Sequence, residues 1–289
     1  MSDAARIIDQ GYRPYEGERG GTGAAMRAVV LHSLARVVGI RRGAVAKVLP
    51  ILILVISVVP AAVFVGMAAL LPRSLIAEDI LPGYGEYYGY ITSAIVIFSA
   101  FVAPELLCTD RRTRMLGLLL ASPLDRRTYL AAKAIAVLAA LAVITIGPPL
   151  LMLVAFTLEN AGPDGIGDWL GVFGRIIAGG VIIAALHTTL SLAIASFTDR
   201  NGFASAGVLL ALLLSSIVSS ILVDSGASAS FGVFDLLGLP FDLISRLYPD
   251  LDPARPELST PLVAGAYAGS TILFAVVVVV RYHRLQVTR

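Results

Sequence analysis

Long runs of apolar residues, separated by short polar segments, dominate the pattern of this chain. Six runs reach the roughly 20 residues that a helix needs to cross a bilayer, where every backbone group must be hydrogen-bonded within the segment. They are Val48–Leu71, Tyr88–Cys108, Tyr129–Leu158, Trp169–Phe197, Phe203–Val223 and Pro261–Arg281. The pattern therefore predicts an all-α membrane protein with six transmembrane helices.

The composition supports this prediction and narrows the chemistry. Of 289 residues, 57% are hydrophobic and only 15% are charged, which excludes an ordinary soluble domain. The formal net charge of +2 excludes a disordered chain. The single cysteine, Cys108, forms no intrachain disulfide, and no Cys/His set has the spacing of a zinc site. We predict neither a metal nor a cofactor.

Basic residues are unevenly distributed between the polar segments. Segments 1–47, 109–133, 198–202 and 281–289 hold 18 of the 22 Arg and Lys residues. By the positive-inside rule these segments face the cytoplasm, so both termini are predicted to be cytoplasmic, in the plasma membrane. The predicted parts are an N-terminal tail with a connecting helix (1–47), a six-span domain (48–281) and a C-terminal tail (282–289).

Two segments outside the spans have helical character. From Met26 to Arg42, apolar residues recur every three or four positions among arginines, which predicts a basic, moderately amphipathic helix at the cytoplasmic interface. Segment 224–260 is far longer than a usual connection, and Gly238 and Pro240 interrupt its apolar run. We predict two short helices there, entering the outer leaflet as a re-entrant loop or capping a cavity.

Local signals add detail to the fourth and sixth spans. Small residues let membrane helices approach closely, and the fourth span carries four glycines at Gly171, Gly174, Gly179 and Gly180. Asp168 and Thr260 are predicted N-caps of the fourth and sixth spans.

Ionisable groups inside the spans are few, namely His187, Glu105 and Arg175. No acidic residue lies near His187 in sequence, and a neutral histidine bonded to a neighbouring span or lining a cavity is favoured over catalysis. We predict no catalytic residue. Because the chain contains no GxxxxGK[ST] loop, any work driven by ATP must come from another polypeptide.

The hairpin over residues 109–128 is the most informative segment. Thr109 or Asp110 is predicted to cap a short helix with one apolar side made of Met115, Leu116, Leu119 and Leu120. Arg111, Arg112 and Arg114 would then crowd its first turn, against the helix dipole, which indicates an acidic partner or lipid phosphates. A plain solvated basic loop is the alternative.

A second helix is predicted to follow at once. Pro123 ends the short helix, and a capping box from Ser122 to Asp125 starts a helix that runs into the third span.

Thr113–Arg126 reads TRMLGLLLASPLDR. It resembles the pattern T-L-E-L-L-L-A-S-P-L-S-R in the coupling helix of the permease subunits of ABC transporters of the type-2 exporter class. This chain lacks the acidic residue between Thr113 and Leu118. The resemblance implies six spans, an N-terminal connecting helix, a re-entrant segment before the sixth span and a hairpin that contacts a cytoplasmic ATP-binding subunit.

The resemblance implies a permease that forms half of the pathway of an ATP-driven exporter. Its expected partners are cytoplasmic ATP-binding subunits, a second permease copy and membrane lipid, with no nucleic acid. Interiors rich in Ala, Val, Leu and Ser suit a lipid-like or amphipathic substrate. The residues predicted to couple the chain to the ATPase are Asp110, Arg111, Arg112, Thr113, Arg114, Met115, Leu116, Leu119, Leu120, Ser122, Pro123, Asp125, Arg126 and Arg127.

Two other functions stay open at this point. A membrane scaffold or assembly subunit without transport would use the basic loops to bind anionic lipid. An intramembrane hydrolase would be centred on His187.

Overall fold

The structure, a computed structural model, describes residues 20–40, 43–70, 81–120 and 122–284. Within these ranges every regular element is a helix. In chain order they are α1 (Thr22–Val37), α2 (Ala44–Leu70), α3 (Tyr87–Tyr90), α4 (Thr92–Ile97), α5 (Ala103–Arg112), α6 (Met115–Leu120), α7 (Arg126–Leu158), α8 (Gly165–Ala195), α9 (Asn201–Asp224), α10 (Leu239–Ser245) and α11 (Thr260–Arg284). A π-helical turn, Phe98–Val102, joins α4 to α5, and a 3-10 helix, Ala229–Phe234, precedes α10.

Six helical segments are long and apolar enough to cross a membrane, which confirms the predicted number of spans. They are α2, the continuous segment Thr92–Arg112, α7, α8, α9 and α11. The second span is the most enclosed, because 67% of the residues in an apolar stretch of 18 residues are buried. In the corresponding stretches of α2, α9 and α11 only 22%, 17% and 11% of the residues are buried. These three spans therefore direct wide apolar faces away from the bundle.

The longest helices, α7 and α8, form the centre of the bundle and pack against each other along much of their length. α7 also packs against α1 and α2, while α8 contacts the second span, α9 and α11. Pro148 and Pro149 both lie inside α7, which continues as one helix to Leu158.

Only two of the four glycines predicted to allow close helix contact in α8 do so. A Cβ atom added at Gly180 would lie 2.3 Å from Cγ1 of Ile146 in α7, and one at Gly179 would lie 3.1 Å from the hydroxyl oxygen of Tyr88. At Gly171 and Gly174 an added Cβ would meet nothing within 4 Å. The prediction is right for the second pair and wrong for the first, because only the later turns of α8 reach the centre of the bundle.

Two predicted caps are wrong by a few residues. α8 begins at Gly165, with Asp164 at the N-cap position, so Asp168 lies within the first turn. Its negative charge is still favourable there, because the N-terminal end of the helix dipole is positive. α11 begins at Thr260 itself, and Ser259 accepts the first backbone bonds.

The predicted connecting helix exists as α1, although it ends at Val37. Gly39 adopts φ +77°, a left-handed conformation that suits the residue after a helix end. Val29, Ser33 and Val37, four residues apart, form its buried face. The predicted continuation to Arg42 reaches residues 41 and 42, which lie outside the described residues.

Segment 224–260 contains two short helices, as predicted, in the form of the 3-10 helix and α10. The 3-10 helix packs against α9 and α11, and α10 packs against α8 and α11. We call this end of the bundle the far end, and the end that carries residues 109–128 the hairpin end.

Candidate functional site at the hairpin end of the bundle

The hairpin does not begin with a separate capped helix. α5 continues the second span to Arg112, and the backbone N–H of Thr113 still donates to the carbonyl of Thr109, at 2.9 Å. Thr109 and Asp110 therefore lie inside the final turns of α5, and the prediction that either caps a new helix is wrong. The chain reverses only at Arg114, which has φ 57°, and α6 follows.

This helix boundary changes the electrostatics of the first arginines. Arg111 and Arg112 occupy the last turn of α5. Cations at a helix C-terminus are favourable, because the final carbonyl groups carry partial negative charge. The predicted conflict with the helix dipole is therefore wrong for these two residues, and Arg114 lies in the turn between helices.

α7 is capped by Asp125, and the predicted capping box starting at Ser122 is wrong. The Asp125 carboxylate accepts a bond of 2.7 Å from the backbone N–H of Thr128, and the Asp125 N–H donates to the Thr128 hydroxyl at 2.9 Å. The backbone bond from Thr128, with its hydroxyl bond, holds the pKa of Asp125 below its usual value. Pro123 separates the two helices, as predicted, and Ser122 is exposed beside it.

Three of the four residues predicted to form the apolar side of α6 face the interior of the protein, and the fourth, Met115, is exposed. Leu116 is buried in the main core cluster, and Leu119 and Leu120 pack against that cluster. The exposed apolar residues are Met115 and Leu118, at 43% and 68% exposure. Leu118 was not among the predicted site residues, because a six-residue helix with the sequence MLGLLL has apolar residues on both sides.

Asp110 lies at the centre of a buried ionic cluster that the sequence did not reveal. Its Oδ1 accepts from Nη1 of Arg36 at 2.9 Å, and its Oδ2 accepts from Nζ of Lys133 at 2.7 Å. The Tyr129 hydroxyl donates to the same Oδ2 at 3.0 Å, and Lys133 Nζ also donates to the Ser33 hydroxyl at 3.1 Å. The carboxylate thus joins α1, α5 and α7 inside the protein.

Arg111 and Arg126 are also engaged within the chain. Nη1 of Arg111 donates to the carbonyl of Ser196 at 2.8 Å, just beyond the end of α8. Nη1 of Arg126 donates to the carbonyl of His283 at 2.6 Å, in the last turn of α11. Among the predicted coupling residues, Asp110, Arg111 and Arg126 therefore bind other parts of this chain.

Seven further residues of the predicted set are on the surface. Those exposed are Arg112, Thr113, Arg114, Ser122, Pro123, Asp125 and Arg127. With Met115 and Leu118 they form a surface at the hairpin end that combines arginines with two apolar side chains. We call it the hairpin surface.

The intramembrane ionisable groups lie apart from this surface. His187 is fully buried, and its Nδ1 lies 2.9 Å from the carbonyl oxygen of Ile183 in its own helix. Of the two alternatives predicted for His187, a bond to a neighbouring span is not seen within the described residues. Glu105 is half-buried and lines a small cleft together with Arg36. In the described ranges, no three His, Cys, Asp or Glu residues are grouped closely enough to hold a metal ion.

No protein-family model matches this sequence, and no curated protein matches it either. The geometry of the hairpin end and the resemblance of Thr113–Arg126 are therefore the basis for a functional proposal.

Proposed function

We propose that this chain is the membrane-spanning permease subunit of an ATP-driven ABC exporter of the type-2 class. Six spans and the hairpin surface support this proposal. In it, the hairpin end faces the cytoplasm of a plasma membrane, in agreement with the excess of basic residues in segments 1–47 and 109–133. A separate subunit binds and hydrolyses ATP.

The observation that carries the proposal is the division of the hairpin into an anchored side and an exposed side. Leu116 and Leu119 fix α6 to the core, while Met115 and Leu118 are exposed, with Arg112 and Arg114 close in sequence. A partner surface with an apolar groove and acidic margins fits this arrangement, since charged rims steer and orient an encounter. A firmly anchored helix is also what a partner needs in order to move the spans.

The apolar faces of α2, α9 and α11 support the remainder of the proposal. Such faces suit a second permease copy and membrane lipid, and a pathway between two copies would be lined mainly by aliphatic side chains. We therefore propose a lipid-like or amphipathic substrate. The short helices of segment 224–260 would cover the outer end of that pathway.

Replacing Met115 and Leu118 with glutamate tests the proposal. The two carboxylates would have to be buried without partners in an apolar groove, which is unfavourable, whereas both positions are exposed in the isolated chain. We expect the double variant to reach the membrane and fold normally, but to lose co-purification with an ATP-binding subunit and its ATP turnover. Phe234→Glu, at an exposed apolar position at the far end, is the matched control.

Two outcomes would contradict the proposal. One is a double variant that binds the ATPase and stimulates its turnover as the wild type does. The other is a wild-type chain that associates with anionic lipid and with no nucleotide-binding protein, which would favour the scaffold function.

A further inference from the structure

Two arginines at the two ends of the hairpin bind the ends of two different spans. The last carbonyl groups of a helix have no partner within the helix and carry partial negative charge. A guanidinium group satisfies them well, because it is always charged and presents several N–H donors in a rigid plane. Both hairpin arginines meet this description.

Arg111, at the entry to the hairpin, caps the end of α8. Its Nη1 lies 3.4 Å from the carbonyl oxygen of Ala195, 2.8 Å from that of Ser196 and 3.0 Å from that of Thr198. α8 ends at Ala195. One guanidinium nitrogen thus lies within hydrogen-bond distance of three carbonyl oxygens at the end of the fourth span.

Arg126, at the exit from the hairpin, caps the end of α11. Its Nη1 lies 3.1 Å from the carbonyl oxygen of Tyr282 and 2.6 Å from that of His283. These residues are 156 and 157 positions away in sequence, so the bonds join the hairpin directly to the sixth span.

The other arginines of the hairpin are arranged differently. Arg112 and Arg114 are exposed. Arg127 is also exposed, and its Nε lies 3.5 Å from Nε2 of the His283 ring, a longer contact with α11 than those of Arg126. Arg112 is therefore a matched control for Arg111, one residue away and of identical charge, and Arg127 is the comparison for Arg126.

The bonds from the hairpin are selective among the spans. Within the described residues, side-chain hydrogen bonds of residues 109–128 reach α1 and α7 through Asp110, α8 through Arg111, and α11 through Arg126 and, at 3.5 Å, through Arg127. None reaches α2 or α9 in that part of the chain.

We propose that Arg111 and Arg126 are positioning residues that make the hairpin and the adjoining ends of α8 and α11 one rigid unit. The rigidity of this unit is a property of this chain alone, and it can be tested without any partner. The further claim that an ATPase moves α8 and α11 through this unit rests on the proposed function.

Spin labels test the rigid unit in the purified chain, reconstituted in lipid nanodiscs with Cys108 replaced by alanine. Cysteines at the exposed positions Ser122, Asp199 and Arg284 report the hairpin, the end of α8 and the end of α11. Double electron–electron resonance then gives two distance distributions, 122–199 and 122–284. We expect both to be narrow in the otherwise wild-type chain.

Each capping arginine should control the width of one distance distribution. Arg111→Gln is expected to broaden only the distribution between residues 122 and 199, and Arg126→Gln only the one between residues 122 and 284. In each variant the distribution that stays narrow shows that the bundle is intact. Arg112→Gln should broaden neither, and Arg127→Gln should broaden 122–284 less than Arg126→Gln does, because its contact with α11 is longer. The proposal is overturned if a capping variant leaves its own distance narrow, broadens both distances, or behaves like its control.

The role in force transfer needs the complex with the ATP-binding subunit. With labels at 199 and 284, addition of ATP and vanadate should shift the distance between the two span ends in the wild type. Arg126→Gln should keep co-purification and ATP hydrolysis but lose that shift. An undiminished shift would overturn the role in force transfer, whereas the absence of any co-purifying ATPase would instead count against the proposed function.

Discussion

Both ends of the bundle contain a buried ionic cluster, but the two clusters are built differently. At the hairpin end one carboxylate, Asp110, is shared by Arg36 and Lys133, and Glu105 lies beside Arg36 in an adjoining cleft. At the far end two carboxylates, Asp235 and Asp242, face two guanidinium groups, and the charges balance. The far-end contacts are Arg255–Asp235 at 2.5 Å, Arg246–Asp242 at 3.2 Å and Arg255–Asp242 at 3.9 Å.

The clusters also differ in what they connect. Asp110 and Arg36 are 74 residues apart and belong to different helices. Asp242 and Arg246 are four residues apart, and these far-end contacts, like the bond of 3.1 Å from Arg246 to the Thr260 hydroxyl, lie within segment 224–260. The same chemistry therefore stabilises the whole bundle at one end and folds a local segment at the other.

The largest effect is expected from Asp110→Ala. It would leave the buried Lys133 and the half-buried Arg36 without the carboxylate that they share, and removing one partner of a buried ion pair costs about 3–5 kcal/mol. We expect the detergent-solubilised variant to unfold globally at a lower denaturant concentration than the wild type, and amide exchange to be faster throughout α1. The control is Asp199→Ala at the same end, where the carboxylate is exposed. Equal stability of the two variants would show that the cluster does not hold the bundle together.

A smaller and local effect is expected from Asp242→Asn. The change removes the charge facing Arg246, but Arg246 keeps its bonds to the Thr260 hydroxyl and to the carbonyl of Arg255. A buried hydrogen bond that loses its best acceptor costs about 1–3 kcal/mol. Amide exchange should accelerate within 224–260 and stay unchanged in α1 and α7, with Asp252→Asn, at an exposed position, as the control. Faster exchange in α1 would remove the distinction between the two ends.

The smallest effect concerns Asp125, a fully exposed carboxylate at the hairpin end. Bonds from Thr128 lower its pKa in the folded state, so its contribution to stability is present above the unfolded value of about 3.9 and is lost as pH falls through the folded value. We expect protection of the first turn of α7 to decrease in acid, after correction for intrinsic exchange. Asp125→Asn should lack this pH dependence, and a variant that retains it would assign the effect to another group.

The six spans could be predicted because each is a long apolar run with few charges. The residue at which the second span ends could not be predicted. Its last turn contains Asp110, Arg111 and Arg112, which have the composition of a loop, yet the turn stays helical. Lys133 and Arg36 pair with Asp110, and carbonyls at the end of α8 accept from Arg111, so the partners of both residues come from other parts of the chain, while Arg112 is exposed.

The hairpin shows the same limit on a smaller scale. Pro123 and the acidic residue after it correctly predicted a break followed by a new helix. Which residues of α6 are exposed depends on the position of the core. The sequence therefore grouped Met115 with Leu116, Leu119 and Leu120 and left out Leu118, whereas the structure exposes Met115 and Leu118. At the far end, Gly238 and Pro240 predicted two short helices, but the pairing of aspartates with arginines depends on how the segment folds back.

The most direct test of the proposal that the hairpin surface binds an ATP-binding subunit is photo-crosslinking from position 118 in native membranes. A photoreactive amino acid at Leu118 reports what touches the most exposed apolar residue of α6, and the same amino acid at Phe234 reports the far end. We predict that position 118, and not position 234, crosslinks to a soluble chain whose sequenced peptides contain a P-loop. Crosslinks from position 118 to lipid alone, or to proteins without a nucleotide-binding motif, would contradict the account.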